Sequence, residues 1–170
     1  LSERNLYSNA KSIVNALGIT SEDKGALCIC HHYAYGNSII NSHVFSGSSI
    51  RIYDNFILAT LLKSKQDVTI FYGVPYVYSC FLKNKEKFKI FTNSVKRFTS
   101  AGESINKKNI KELLRVSNNI KFYNMYGQTE ATARISILAP DFIDNLPSAG
   151  KPISQVKIRI DSKKFDYQGK

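Results

Sequence analysis

Asn124-Met125-Tyr126-Gly127-Gln128-Thr129-Glu130 brings an amide, an aromatic ring, a glycine, a hydroxyl and a carboxylate into one short stretch. It follows Ile120-Lys121-Phe122-Tyr123, an apolar run that reads as a buried strand. Just past a strand end is where an open α/β sheet binds its ligands. Tyr126 can offer a flat face to a base, and Gly127 lets backbone approach a ligand closely. Thr129 can donate to an anionic oxygen, and Glu130 can hold a hard cation such as Mg²⁺. Together they suit a nucleotide and its metal.

Two other groupings are weaker. Cys28-x-Cys30-His31-His32 contains zinc-ligand types, but strand alternation puts Cys28, Cys30 and His32 on one face and His31 on the other. No second ligand pair follows at structural-zinc spacing, so the cysteines read as small buried hydrophobes. No serine stands in a Gly-x-Ser-x-Gly setting, which sets a serine hydrolase aside.

The elements that would carry these residues alternate between strand and helix. Leu6, Ala10, Ile13, Val14 and Leu17 fall at helical spacing, and Gly18 ends the pattern as a C-terminal cap does. Strands are expected at 26–30, 49–53, 68–72, 97–100, 120–123, 134–138 and 156–160. Helices are expected from Gly36 through Phe45, after a cap at Asp54 or Asn55, from Pro75 through about Leu82, and after a cap at Asn106. This alternation argues an α/β fold, a mainly parallel sheet with helices on its faces. Residues 31–36, 73–75, 101–103 and 126–130 each follow an expected strand directly. In a parallel sheet all four would gather along one edge, and that edge is the expected site.

At 170 residues the chain suits one domain with a real core, and 43% hydrophobic with 22% charged residues is a globular composition. No apolar run approaches the roughly 20 residues that span a bilayer. The start, Leu-Ser-Glu-Arg-Asn, has no signal-peptide core, and three cysteines without framework spacing fit a reducing compartment, so the cytoplasm is the expected location. The net charge is +11, and between Lys83 and Lys121 eleven Lys or Arg stand against three Glu. Those cations alternate with apolar positions without the aromatic interleaving of a nucleic-acid module, which reads as a solvated basic face.

A set of motifs, in order, resembles one family. Leu1-Ser-Glu-Arg-Asn5-Leu6 is similar to the Leu-Ser-x-x-Asn-Leu that follows the glycine-rich phosphate loop of AMP-forming adenylating enzymes: acyl- and aryl-CoA synthetases, luciferases and peptide-synthetase adenylation domains. The segment ending at Gly36 resembles their His-x-x-Gly motif, with Tyr33 in the histidine slot and His32 one residue early. Thr69 with Gly73-Val74-Pro75, Ser100-Ala101-Gly102-Glu103, Tyr126-Gly127-Gln128-Thr129-Glu130 and Ser148-Ala149-Gly150-Lys151-Pro152 resemble their later motifs.

The resemblance implies the central part of the large N-terminal domain of such an enzyme, with residues 1–170 a single partial domain ending in extra strands. It implies ATP and Mg²⁺, attack of a carboxylic acid on the α-phosphorus, and transfer of the acyl group to coenzyme A or a carrier's phosphopantetheine. Tyr126 would stack on adenine, with Asn124, Ala101, Gly102 and Glu103 around the base. Gly127 and Gln128 would pass close to the α-phosphate, Thr129 would bond a phosphate oxygen, and Glu130 would hold Mg²⁺. Tyr33, Tyr35, Gly36, Val74, Pro75 and Gly102 would line the acid pocket. The family's phosphate loop would lie before Leu1, and its ribose-binding Asp and catalytic Lys beyond Lys170, so the isolated piece is expected to be inactive. Tyr33 and Tyr35 suit an aryl acid, a short acyl chain or an aminoacyl group. A non-catalytic structural or partner-binding domain, and a nucleic-acid-binding domain using residues 83–121, stay open beside the ligase reading.

Overall fold

The computed structural model describes residues 1–53, 67–117 and 119–160. Its strands are β1 (Lys24–Leu27), β2 (Ser49–Ile52), β3 (Ile70–Gly73), β4 (Arg97–Ser100), β5 (Lys121–Tyr126), β6 (Ser136–Leu138) and β7 (Lys151–Pro152). They form one sheet in the order β2-β1-β3-β4-β5-β6-β7. Pairing is parallel from β2 across to β5 and antiparallel at β6 and β7. The expected α/β sheet with extra strands at its end is the one formed.

Helix α1 (Glu3–Leu17) starts at a reciprocal cap, Ser2 with Asn5, and stops at Gly18 in the left-handed region at φ 63°. Helix α2 is Ala34–Ser46. Helix α3 (Pro75–Leu82) has Pro at its first position, where no N–H is needed. Helix α4 is Lys85–Phe91, and α5 (Lys107–Val116) is capped by the Asn106 side chain. The expected helix after Asp54 or Asn55 lies outside the described residues.

Strand alternation divides the core in two. Ile70 and Tyr72 face α1 and α2, packing with Ile13, Leu17, Ile39 and Met125. Phe71 faces α3, α4 and α5, in a cluster with Phe81, Phe88, Phe91, Phe98, Phe122 and Leu113. Ring centroids of Phe71 and Phe98 stand 5.4 Å apart, edge to face. Each fully buried ring is worth about 1.5–3 kcal/mol, so this aromatic layer is the larger anchor of the sheet.

Parallel strands have no hairpin to set their register, and a side-chain clamp supplies it here. Asp23, next to β1, accepts from Thr69 Oγ1 at 2.7 Å, just ahead of β3, and from Arg97 Nη1 of β4 at 2.9 Å. Thr69 Oγ1 accepts in turn from Lys24 N at 2.9 Å. Arg97 Nη2 also donates to Gly18 O, tying the end of α1 to the same point. Burial alone would raise the Asp23 carboxyl. The hydrogen bonds from Thr20, Thr69 and Arg97 outweigh it and hold the group below the ordinary carboxylate range.

Several expectations shift. β1 lies earlier than 26–30, so Cys30 and His32 sit in the turn after it; Cys30 is exposed and not the buried hydrophobe expected. β6 begins at Ser136, because Thr132 and Ala133 are left-handed at φ 59° and 73° and Arg134 belongs to the loop. Helix α4 was not anticipated. The alternating stretch 156–160 is not a strand: among the described residues nothing pairs with it, and Lys157, Ile158, Arg159 and Ile160 are exposed. Alternation says which way a strand would face; it does not provide a neighbour for its backbone.

His43 of α2 is fully buried, its Nε2 2.9 Å from Tyr72 Oη and its Nδ1 2.6 Å from Ser48 Oγ. Burial pulls its pKa down to about 4 although the Asp23 charge pulls it up. The unfolded chain therefore binds a proton at His43 that the fold excludes, so stability is complete above about pH 6.5 and falls towards pH 4. The expected loss across that window is on the order of 3 kcal/mol. Urea midpoints at pH 7.5 and 4.5 should differ accordingly, and His43→Gln should flatten the dependence; a pH-independent midpoint would show that His43 is not held neutral.

Candidate functional site

The register puts Leu27, Tyr72, Thr99 and Tyr123 in one row across four parallel strands, so the segments that follow leave the sheet side by side. This is the edge at which the four stretches were expected to gather. The strand order also has a switch point between β1 and β3, because α2 leads from β1 outwards to β2 while the later strands build in the other direction. The residues expected around the acid flank that switch: Tyr33, Tyr35 and Gly36 after β1, Val74 and Pro75 after β3. Those expected around the nucleotide follow β4 and β5.

After β5 the chain folds back on itself. Ile135 N donates to Tyr126 O at 2.9 Å and Ala133 N to Gln128 O at 2.9 Å, enclosing a 3₁₀ turn at Thr129–Ala131. Gly127 is required by this closure, since a Cβ there would lie 1.5 Å from Ala133 O. Tyr126 stands at the strand end 44% exposed, with its hydroxyl accepting from Gln128 Nε2 at 2.8 Å. Thr129 and Glu130 are exposed on the 3₁₀ turn. Asn124 Nδ2 donates to Ser148 O at 3.0 Å, bringing residues 147–149 beside β5.

A cavity of ≈ 290 Å³ opens here, lined by Gly102, Glu103, Ser104, Asn124, Met125, Tyr126, Gly127, Pro147 and Ala149. It unites Gly102, Glu103, Asn124, Tyr126 and Gly127 of the expected nucleotide set. Ala101 is buried beneath, in the core facing α1 and α2. Ser104, Met125, Pro147 and Ala149 had no expected role; the Ser148-Ala149-Gly150 motif was visible, but nothing in its spacing says that it returns beside β5.

Thr129 lines a different cavity, of ≈ 190 Å³, with His32, Ala34, Asn37 and Ser38 of the β1–α2 segment and side chains of α1. Tyr33, the residue capping α2, is 62% exposed with its ring 4.7 Å from that of His32. Tyr35 turns inward instead. Its hydroxyl is 2.9 Å from Thr99 Oγ1 and donates to Gly73 O at 3.4 Å, crossing the switch point. Burial pushes its pKa up to about 12, against the lowering effect of the Arg134 charge. Gly36 sits where a Cβ would meet Cys30 O at 2.3 Å, and Val74 and Pro75 are half-buried at the start of α3.

Among the described residues no group of three His, Cys, Asp or Glu could hold a metal. A single carboxylate such as Glu130 nevertheless fits Mg²⁺, which is commonly bound by one or two carboxylates together with substrate phosphates and water. Cys30 Sγ lies 3.0 Å from His32 Nδ1, and burial raises the Cys28 thiol to about 12. In the basic segment Lys83, Lys87, Lys89 and Lys108 are exposed, Lys85 pairs with Glu112, and Lys107 and Lys111 pair with Asp144. No helix among the described residues is long and apolar enough to cross a membrane.

The chain matches the family described as AMP-binding enzyme over residues 1–169. It is 28% identical over 160 residues to the 2-succinylbenzoate–CoA ligase of Bacillus velezensis, covering 92% of this chain and 32% of that protein. It is also similar to the O-succinylbenzoate coenzyme A synthetase of Bacillus subtilis in complex with ATP and magnesium ion, with a TM-score of 0.81 and 24% identity, covering 94% of this chain and 33% of that one. The same synthetase in complex with its acyl-adenylate intermediate gives a TM-score of 0.82 at 24% identity. At that identity the structural likeness establishes the fold. The chain spans about a third of the length of the curated relatives it matches.

The packing at Gly127 yields a direct expectation. Gly127→Ala forces the 128–133 loop away from β5, at a cost of about 1–3 kcal/mol, as overpacking of closely packed atoms does. Chemical denaturation of the variant should show the loss, and an unchanged midpoint would mean that the loop does not close on Gly127.

Proposed function

The chain belongs to the AMP-binding enzyme family, and we propose that its sheet edge activates a carboxylic acid with ATP. The carboxylate oxygen would form a bond to the α-phosphorus as the bond to the β-phosphate oxygen breaks, leaving acyl-AMP and pyrophosphate. A thiolate would then attack the acyl carbon and expel AMP. Coenzyme A is the acceptor in the names of the similar ligases, which supports it here over a carrier's phosphopantetheine.

The observation that carries this reading is the ≈ 290 Å³ cavity at the ends of β4 and β5, bounded by Tyr126 and backed by the glycines Gly102 and Gly127. In this reading the adenine enters that cavity with the Tyr126 ring along its face, and the strand-end backbone at 101–103 borders it. Gly127 and Gln128 run past the α-phosphate, and the Thr129 hydroxyl donates to a phosphate oxygen. Glu130 is the residue that would hold Mg²⁺, whose charge would stabilise the departing pyrophosphate. The acid lies towards the switch point, near Tyr33, Tyr35, Gly36, Val74 and Pro75. A carboxylate is already a nucleophile, so no base is needed; the residues act by in-line positioning and by donors fixed before the reaction starts.

Pyrophosphate release by the natural protein, supplied with ATP, Mg²⁺ and a panel of carboxylic acids, tests the reading. Release should depend on one class of acid. Glu130→Gln should lower kcat by about 10²–10³-fold, the scale seen when one transition-state charge contact is lost, and should raise the Mg²⁺ concentration for half-maximal rate. A protein that binds ATP yet releases no pyrophosphate with any acid would be a binding domain on this fold, and the ligase reading would fall.

A further inference from the structure

The loop after the nucleotide residues and the helix carrying the acid-side residues face each other across the ≈ 190 Å³ cavity. Thr129, Thr132 and Ala133 line it from the loop, and Ala34, Asn37 and Ser38 from α2. Arg134 is no part of that lining; it bridges the two from within the fold. Its Nη2 donates to Ser38 Oγ at 3.1 Å, and Ser38 Oγ donates in turn to Tyr35 O at 2.7 Å. Its guanidinium carbon lies 4.7 Å from the centroid of the Tyr35 ring. The Tyr35 hydroxyl then reaches Thr99 Oγ1 of β4 at 2.9 Å. From α1, Asn9 Nδ2 donates to the Arg134 carbonyl at 2.9 Å. One residue thus joins the nucleotide loop to the start of α2.

This docked arrangement carries costs as well as gains. Arg134 is 2% exposed, no ion pair among the described residues includes it, and its Nε has no partner there. Burial pushes the Tyr35 phenol up to about 12, so it is neutral near pH 7 and gives the cation no counter-charge. Thr132 and Ala133 take left-handed backbone at φ 59° and 73°, a strained conformation for side chains of either kind. Undocking would return the charge to water and relax the two residues, at the loss of the ring contact and both hydrogen bonds. An element with opposed terms of this kind is one whose population a ligand can shift.

We propose that Arg134 is a positioning residue, locking the nucleotide loop to α2 so that a nucleotide held at 126–130 fixes Tyr35 and the start of α2 for the acid. The inference rests on the adenylation reading and adds to it the link between the two halves of the site. A nucleotide restraining Gln128, Thr129 and Glu130 acts on one end of a loop that Ala133 N to Gln128 O and Ile135 N to Tyr126 O already close. Arg134 stands at the other end. Because binding free energies are reciprocal, an acid that orders α2 would tighten the nucleotide by the same factor.

Hydrogen exchange of the natural protein tests this, with and without α,β-methylene-ATP and Mg²⁺, alongside pyrophosphate release from ATP. The nucleotide should slow exchange at 128–135 and, through Arg134, at 34–38, the latter by about 5–100-fold, the scale of ordinary coupling between sites. Arg134→Met removes a buried charge, keeps an apolar stem and is expected to fold. It should leave the slowing at 128–135 and abolish it at 34–38, with Arg134→Lys retaining part. Ser38→Ala cuts the same contact from the helix side while leaving the cation in place. It should reproduce the loss, and the double variant should lose no more than either single one. Protection of 128–135 without 34–38 in the natural protein, or protection of 34–38 that survives both single variants, overturns the proposal. So does loss of protection at both segments in Arg134→Met, which would make Arg134 a support of the nucleotide loop alone. Pyrophosphate release without protection at 34–38 sinks this inference alone. Protection of both segments without release sinks the adenylation reading alone, and a protein that shows neither sinks both.

Discussion

The structure depends on the contact of Asp23 with Thr69 and Arg97. Hydrogen-bonded ladders between parallel strands repeat at every residue pair, so the ladder itself does not say which residue lies opposite which. Apolar packing restricts the register, because a slip by one residue turns every side chain to the wrong face, but a slip by two preserves the faces. The Asp23 carboxylate removes that freedom by joining the starts of β1, β3 and β4 at one point. Fixing the strands where they begin also fixes where they end, and the functional segments all leave from those ends.

What the aligned ends deliver differs along the edge. Towards β4 and β5 the cavity wall is largely backbone and small residues, with Gly102 and Gly127 allowing close approach and Tyr126 as the one large ring. Towards β1 the wall is made of side chains carried on α2 and packed against the sheet, with Tyr35 reaching across to Gly73 and Thr99. A nucleotide, common to a whole family, suits the first kind of wall. A variable acid suits the second, where one substitution alters shape or charge without touching strand register.

This difference explains what could be read from the residues alone. The motif at 126–130 was legible because each residue type has a role that follows from its chemistry and from its place after a strand. Strand β4 at Arg97–Ser100, the Asn106 cap, the Gly18 stop and Pro75 at the start of α3 were equally legible, because local backbone chemistry decides them. Helix α4 was hidden by its length: seven residues show little period, and Phe88 and Phe91 mark its buried side only once the partner helices are known. The stretch at 156–160 misled for the opposite reason, showing a clean period with no neighbouring strand among the described residues. Tyr33 and Tyr35, two residues apart and both assigned to the acid pocket, differ completely, one exposed and one packed beneath the edge. Spacing on a helix that has not yet been docked cannot separate them.

Arg134 shows the same limit most clearly. In the sequence it begins an alternating run, Arg-Ile-Ser-Ile, and reads as the start of a strand over 134–138. Two non-glycine residues in left-handed backbone reverse that outcome, and composition gives no warning of them because Thr and Ala seldom take such angles. The strain and the buried charge are separate costs borne at adjacent positions, within a loop whose other end carries Thr129 and Glu130. A stretch serving only to connect β5 to β6 could avoid both with a glycine and a neutral side chain. Both are instead retained where the chain turns back tightly, in a loop that Ala133 N to Gln128 O and Ile135 N to Tyr126 O close onto the end of β5.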